Sequence, residues 1–447
     1  MSFSKNTTQS GQLLIEVMIA SAIFAILSAA IISLVVLLYQ TVADVRIKTI
    51  ARHLAIQQME LIHNIPYTSL GTTNGIPAGS IPEFSAVNRN GFIFTIHTSV
   101  IYVDDPFDQI SPQDLLPTDY KQVRVDITWD EQLGLYHEPI VLVNLISPKG
   151  VETTNGGGTL SVFVINSSGI PISSASIHIT NTAVNPNIDI TLQTDHNGYL
   201  ILPGAPPCPA CYNISVTKSG YSTDKTYTTS EIANPNKGPL TVTPNYLTES
   251  TFMIDRLATL NITSYSGDRT FILAPNSLFR LTGSKTIGLD SMDNPVYKFD
   301  HTLSTGSNAT YPITDLEWDT YILTAPNSTN KQIAGVYPHQ PMIITPANQT
   351  ALSVSTIPIS NHSLLLSLQD ASGSAIASAS AILQLLNYPI ATVSSGLSGN
   401  PNFGQAFFNT LSSGSYEFTL IHPEYMNLTG SILVNGYTND TLIMTKK

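Results

Sequence analysis

The chain is 447 residues long, too long for one hydrophobic core and long enough for about three domains. Only 11% of it is charged, against ~25% in ordinary soluble domains, and Ser, Thr, Asn, Gly and Pro abound, which suits an extracytoplasmic β-rich chain with an uncharged polar surface. A net charge of -12 with no basic run argues against nucleic-acid binding, and two cysteines exclude a multi-disulfide scaffold.

Residues 1–11, MSFSKNTTQSG, form a short polar leader with one lysine. No charged residue follows between Val17 and Ala43, so this stretch is long enough to cross a bilayer as a helix. Glu16 stands at its entrance. A carboxylate there costs a few kcal/mol unless something pairs with it, which makes it a functional candidate. The stretch "VADVR" (42–46) is a poor match to a small-residue cleavage site, so a removable secretory signal is not indicated.

The helix does not stop at the membrane. From Gln12 to Ile65 there is neither proline nor glycine, and Pro66 is the first breaker. Ile47, Ile50, Leu54, Leu61 and Ile65 fall at helical spacings, so one continuous helix of ~50 residues is predicted, apolar all round at first and amphipathic afterwards. Residues 66–91 read as a turn-rich crossing. Three strands are predicted next, at 91–103, 121–130 and 139–147. Their apolar–polar alternation suits a sheet laid over the amphipathic half-helix, in a domain ending near Lys149.

Beyond the Gly-rich linker 151–158, a repeat emerges at a constant offset of 204 residues, which carries Gly169 onto Gly373 and Ile172 onto Ile376. The same offset carries Tyr212 onto Tyr416 and Tyr221 onto Tyr425. Short strands with polar turns predict β-sandwich units at 159–255 and 359–447, with a diverged third unit at 256–358. The fold class expected is therefore α+β, mainly β: a long N-terminal helix with a small antiparallel sheet, then tandem β-sandwiches.

Two resemblances follow. Leader, Gly11, Glu16 and unbroken helix together resemble the class III signal of type IV pilins and pseudopilins. That resemblance implies cutting by prepilin peptidase between Gly11 and Gln12, N-methylation of Gln12, and Glu16 as the fifth mature residue, serving filament assembly with other pilin or pseudopilin subunits. Phe is commoner at the first mature position than the Gln12 found here. It also implies residence in the bacterial cytoplasmic membrane before assembly, with the C-terminal part outside. The segments "NSSGIPISSASIHI", "TDHNGYLILPG" and "YNISVTKSGY" resemble carboxypeptidase regulatory-like domains and adhesin B-type repeats. Those families are mostly non-catalytic stalks, so an unknown surface ligand is implied. A Lys–Asn crosslink of the kind some of those repeats carry is not indicated, because residues 160–165 and 361–445 contain no lysine.

Three smaller readings complete the survey. Cys208 and Cys211, in "PPCPACY", have a spacing open to redox chemistry, half a zinc site or a short disulfide. Absent a second pair and an opening helix, the disulfide is the plainest reading. Asp104, Asp105 and Asp108 crowd a loop that offers oxygen ligands to calcium, although its spacing matches no EF-hand and a solvated acidic loop is the plainer reading. No GxSxG, HExxH, Walker-type or GxGxxG motif occurs, so neither catalysis nor a cofactor is expected. The alternative to a pilin is an unprocessed, membrane-anchored adhesin or stalk.

Overall fold

The structure is a computed structural model that describes residues 9–105, 118–129, 138–148, 157–268, 270–386 and 388–447; the side chains of the first helix are described from Val17 on, Ala20 excepted. It is mainly β, with one long helix leading into several small sheets.

Helix α1 spans Gln9–His63 without interruption. It ends where Pro66 makes continuation impossible, and a single 3-10 turn at Tyr67–Ser69 follows. Its second half buries Ile47, Ala51, Leu54, Ala55, Met59 and Ile62. They meet Phe94, Ile96 and Val100 of β2 (Phe92–Val103) and Val123, Val125 and Ile127 of β3 (Tyr120–Trp129). The alanines let the sheet approach closely, and each large side chain buried here stabilises the contact by roughly 1.5–3 kcal/mol.

The buried face differs from the one expected. Leu61 is 59% exposed, whereas Ala51, Ala55, Met59 and Ile62 are in the core. At about 100° per residue the sheet covers a stripe centred between Ile47 and Ile62, and Leu61 falls just outside its edge.

The covering sheet has four antiparallel strands in the order β1 (Phe84–Arg89), β2, β3, β4 (Ile140–Ile146). The first lies within the stretch expected to be turns. Asn90 and Gly91, both at positive φ (53° and 85°), close the β1–β2 hairpin, a pair suited to a two-residue type I′ turn.

The remaining sheets repeat one wiring three times. A buried first strand pairs antiparallel with one neighbour and parallel with the last strand of its unit. Thus β5 (Gly158–Ile165) lies parallel to Leu247–Met253, Ala258–Ser266 to Gln349–Pro358, and Ser363–Gln369 to Tyr437–Ile443. A second sheet packs across each; in the first unit it contains β6 (Ser176–Asn181), β7 (Ile188–Gln193) and β9 (Cys208–Thr217), while β8 (Tyr199–Ala205) pairs with β5.

The repeat seen in the sequence reappears in local chemistry. Asn166 and Asp370 occupy equivalent positions, and each turns the chain by accepting two backbone N–H bonds, from Ser168 and Ile170 or from Ser372 and Ser374. Tyr212 and Tyr416 are buried, and their hydroxyls donate to the carbonyls of Pro206 and Ser412. Tyr321 does the same to Glu317 in the middle unit. This is a tyrosine corner in each of three cores.

Candidate assembly interface

Among the described residues, the first half of α1 from Val17 on presents a long exposed apolar surface. Val17, Ile19, Phe24, Ile31, Leu34 and Leu38 all stand exposed, and no residue in the most apolar window of the helix is buried. Among the described residues α1 is the one helix long and apolar enough to cross a bilayer. So large a continuous apolar surface is what a membrane-anchoring helix or a signal sequence presents. Gly11, Gln12 and Glu16 lie in the first turns of this same helix. Their side chains are outside the described residues.

Past Ala43 the helix is anchored. Lys121 lies on the buried face of β3 with only 2% of its surface exposed, and its Nζ donates to the carbonyls of Tyr67 and Leu70, both at 2.7 Å. It also sits 4.5 Å over the Tyr67 ring. Burial depresses its pKa to about 8. The ammonium thereby holds the 3-10 turn that follows α1 against the buried face of the sheet.

The sheet over α1 is tied in turn to the first repeat unit. β7 is an edge strand, and two of its outward N–H groups are taken up by neighbours. Asp189 donates its N–H to the Asn74 carbonyl at 2.8 Å, and Thr191 donates to Glu83 Oε1 at 3.1 Å. Ile76 is buried in the core of that unit. His97 stands behind Glu83, stacked on Phe84 with ring centroids 4.6 Å apart. Its ring nitrogens lie 3.5 Å from Glu83 and 3.4 Å from Asp126, and Arg124 holds Asp126 at 2.9 Å. Burial disfavours the imidazolium, but the bonds to Asp126 and Glu83 outweigh it and hold the pKa at about 9. His97 is therefore charged at neutral pH.

The later junctions are equally bonded. Asn234–Pro235 of the first unit pairs as a strand with Thr286–Leu289 of the middle one, and Lys298 Nζ reaches the Thr223 carbonyl at 2.7 Å. Leu365 of the last unit is buried in the middle unit's core. Buried Gln405 accepts the Val336 N–H at 2.7 Å and donates to Ser367 Oγ at 2.9 Å. His339 accepts from Gln369 and donates to the Phe403 carbonyl, both at 2.7 Å.

Cys208 and Cys211 are joined as a disulfide, with their Cα atoms 6.0 Å apart. The pair opens β9 instead of lying in a free loop: Ala210 adopts a φ of 49°, and the strand Leu240–Val242 shifts register beside it. Asp104 and Asp105 follow β2, and the Asp105 N–H donates to Asp119 Oδ2. Among the described residues no three His, Cys, Asp or Glu side chains gather as metal ligands. Asp108 lies outside the described residues.

No protein-family profile and no curated protein matches the chain. Similar solved structures include the Bacillus anthracis TIE protein, at 12% identity over 81% of this chain and 73% of that one, with a TM-score of 0.19. The streptococcal ancillary pilin is 11% identical over 65% of this chain and 99% of that one, at 0.16. BcpA, the major pilin subunit of Bacillus cereus, is 11% identical over 65% of this chain and 100% of that one, at 0.17. These scores establish no shared architecture.

Proposed function

We propose that the chain is a minor type IV pilin or pseudopilin subunit that displays three β-sandwich modules. One observation carries this reading: a single unbroken helix is bare and apolar along its first half and roofed by a four-stranded antiparallel sheet along its second. A simple membrane anchor has no need to continue rigidly into a folded head, whereas a subunit that packs helix against helix in a fibre does.

In this reading the leader 1–11 is removed by prepilin peptidase on the cytoplasmic side, and residues 12–43 hold the subunit in the membrane until assembly. The head spans 44–150 and the modules 159–255, 256–358 and 359–447. The new α-amino group of Gln12, a site for N-methylation, pairs with Glu16 of a neighbouring subunit, which offsets the cost of burying a carboxylate and sets the stagger between helices. The role is assembly and surface binding, without catalysis. The bonded junctions support display of the modules at fixed positions outside the cell. Three modules hinder close packing along a shaft, so a tip or sparse position fits best.

The test is incorporation. Glu16→Ala should be cut as efficiently as wild type yet be depleted from sheared filaments. Normal incorporation of this variant would contradict the assembly role of the carboxylate.

A further inference from the structure

Ten Asn-x-Ser/Thr triplets occur in the chain, and they are unevenly spread. Between 256 and 447, seven of the fifteen asparagines head one, whereas Ser and Thr fill only about a quarter of the positions there, so composition accounts for about half of the seven. The head, 44–150, has five asparagines and no triplet.

All seven lie at the surface. Asn261, Asn308, Asn327 and Asn348 of the middle unit are exposed, as are Asn361, Asn427 and Asn439 of the last. Asn308 Oδ1 accepts the Thr310 N–H at 3.2 Å, which turns its triplet and engages the oxygen rather than the nitrogen. The two triplets of the first unit differ: Asn213 Oδ1 is buried, and Asn166 Oδ1 is spent on its turn. Outside the triplets, Asn181, Asn236 and Asn294 commit Nδ2 within the fold, to Cys211, Thr286 and Asp290. The last unit is also poor in other hydrating groups. Between 361 and 445 its only ionic side chains are Asp370, Glu417, Glu424 and Asp440. Yet Leu386, Tyr388, Met426 and Leu433 stand 58–82% exposed, a surface that a hydrophilic cover would suit.

We propose that these seven asparagines accept N-linked oligosaccharide, which coats the middle and last units in hydrophilic carbohydrate. The donor is a polyprenyl-phosphate-linked oligosaccharide, and a membrane transferase supplies the base. Asn Nδ2 forms a bond to the anomeric carbon of the first sugar. The bond from that carbon to the lipid phosphate oxygen breaks, its electron pair leaves with the phosphate, and the base takes one amide proton. The assignment rests on these units lying outside the cytoplasm, which the pilin and the anchored stalk share.

Glycopeptide mass spectrometry of the full chain, purified from its own membranes, tests this. Mass shifts of whole sugar residues are expected on the peptide carrying Asn427 and on most of the other six, with none at Asn213. Asn427→Gln keeps an amide and Thr429→Val keeps Asn427, yet each should abolish the shift at that triplet and leave Asn261 modified. Both side chains are exposed, so neither change threatens folding. Three results would overturn the assignment, whatever the N-terminus proves to be: unshifted peptides at Asn427 or at most of the others, sugar at Asn213, or a shift that survives both substitutions and so sits on a hydroxyl. Proteolysis of intact cells checks the premise separately, since units protected from protease would overturn their placement outside the cell.

Discussion

Glu83 Oε1 accepts the backbone N–H of Thr191 at 3.1 Å, so one carboxylate just before β1 caps part of the open edge of the first β-sandwich. The same oxygen faces His97 at 3.5 Å. Head and module are therefore joined through a charged group as well as through apolar packing at Ile76. Glu83→Ala should leave the Thr191 N–H without its partner and lower stability by about 1–3 kcal/mol. Hydrogen exchange should accelerate within Ile188–Gln193 while the C-terminal module stays unchanged; unaltered exchange there would show that the contact contributes nothing.

His97 gives this junction a pH dependence whose sign is fixed. Its folded pKa, about 9, lies above the ordinary value near 6.5, so the native state keeps a proton that the unfolded chain gives up as pH rises. Its contribution is complete below about pH 6.5 and is lost as pH climbs through 9. Lys121 acts oppositely from about pH 8 upward, because burial depresses its pKa. Between pH 6.5 and 8, head stability in wild type should fall by about 1–2 kcal/mol relative to His97→Gln. Chemical denaturation at several pH values, followed by Trp129 fluorescence, measures the difference.

The three tyrosine corners make a parallel set. Tyr212→Phe, Tyr321→Phe and Tyr416→Phe each remove one hydroxyl that donates to an upstream carbonyl, without opening a cavity. Each should cost about 0.5–1.5 kcal/mol, and the costs should add, since the three side chains share no partner. Thermal unfolding of single and triple variants tests both statements.

The Cys208–Cys211 disulfide closes a very short loop. In a chain-entropy account its removal costs about 2 kcal/mol or less, so Cys208→Ala with Cys211→Ser should fold and lose only that amount. A variant unable to fold would mean that the bulge at Ala210 depends on the bond.

Much of this was legible in the sequence, because periodicity reports which face of an element is buried. The unbroken helix, strands β2 to β4 and the repeat offset all rest on such patterns. Strand β1 is hidden within a turn-rich stretch, although Asn90-Gly91 between apolar runs marks its hairpin. Lys121 was also readable: it shares the phase of Val123, Val125 and Ile127, which places a lysine on a buried face. Glu83 and Gln405 were not, since they act through long-range bonds with no local pattern. The exposure of Leu61 depends on how far the sheet reaches around α1, which helix spacing alone cannot set.

The central claim concerns the N-terminus. Mass spectrometry of the chain purified from its own membranes reads it directly. Processing after Gly11 predicts a protein that begins at Gln12, with or without an added methyl group. An intact leader beginning at Met1 would contradict the pilin reading and leave a membrane-anchored stalk in its place.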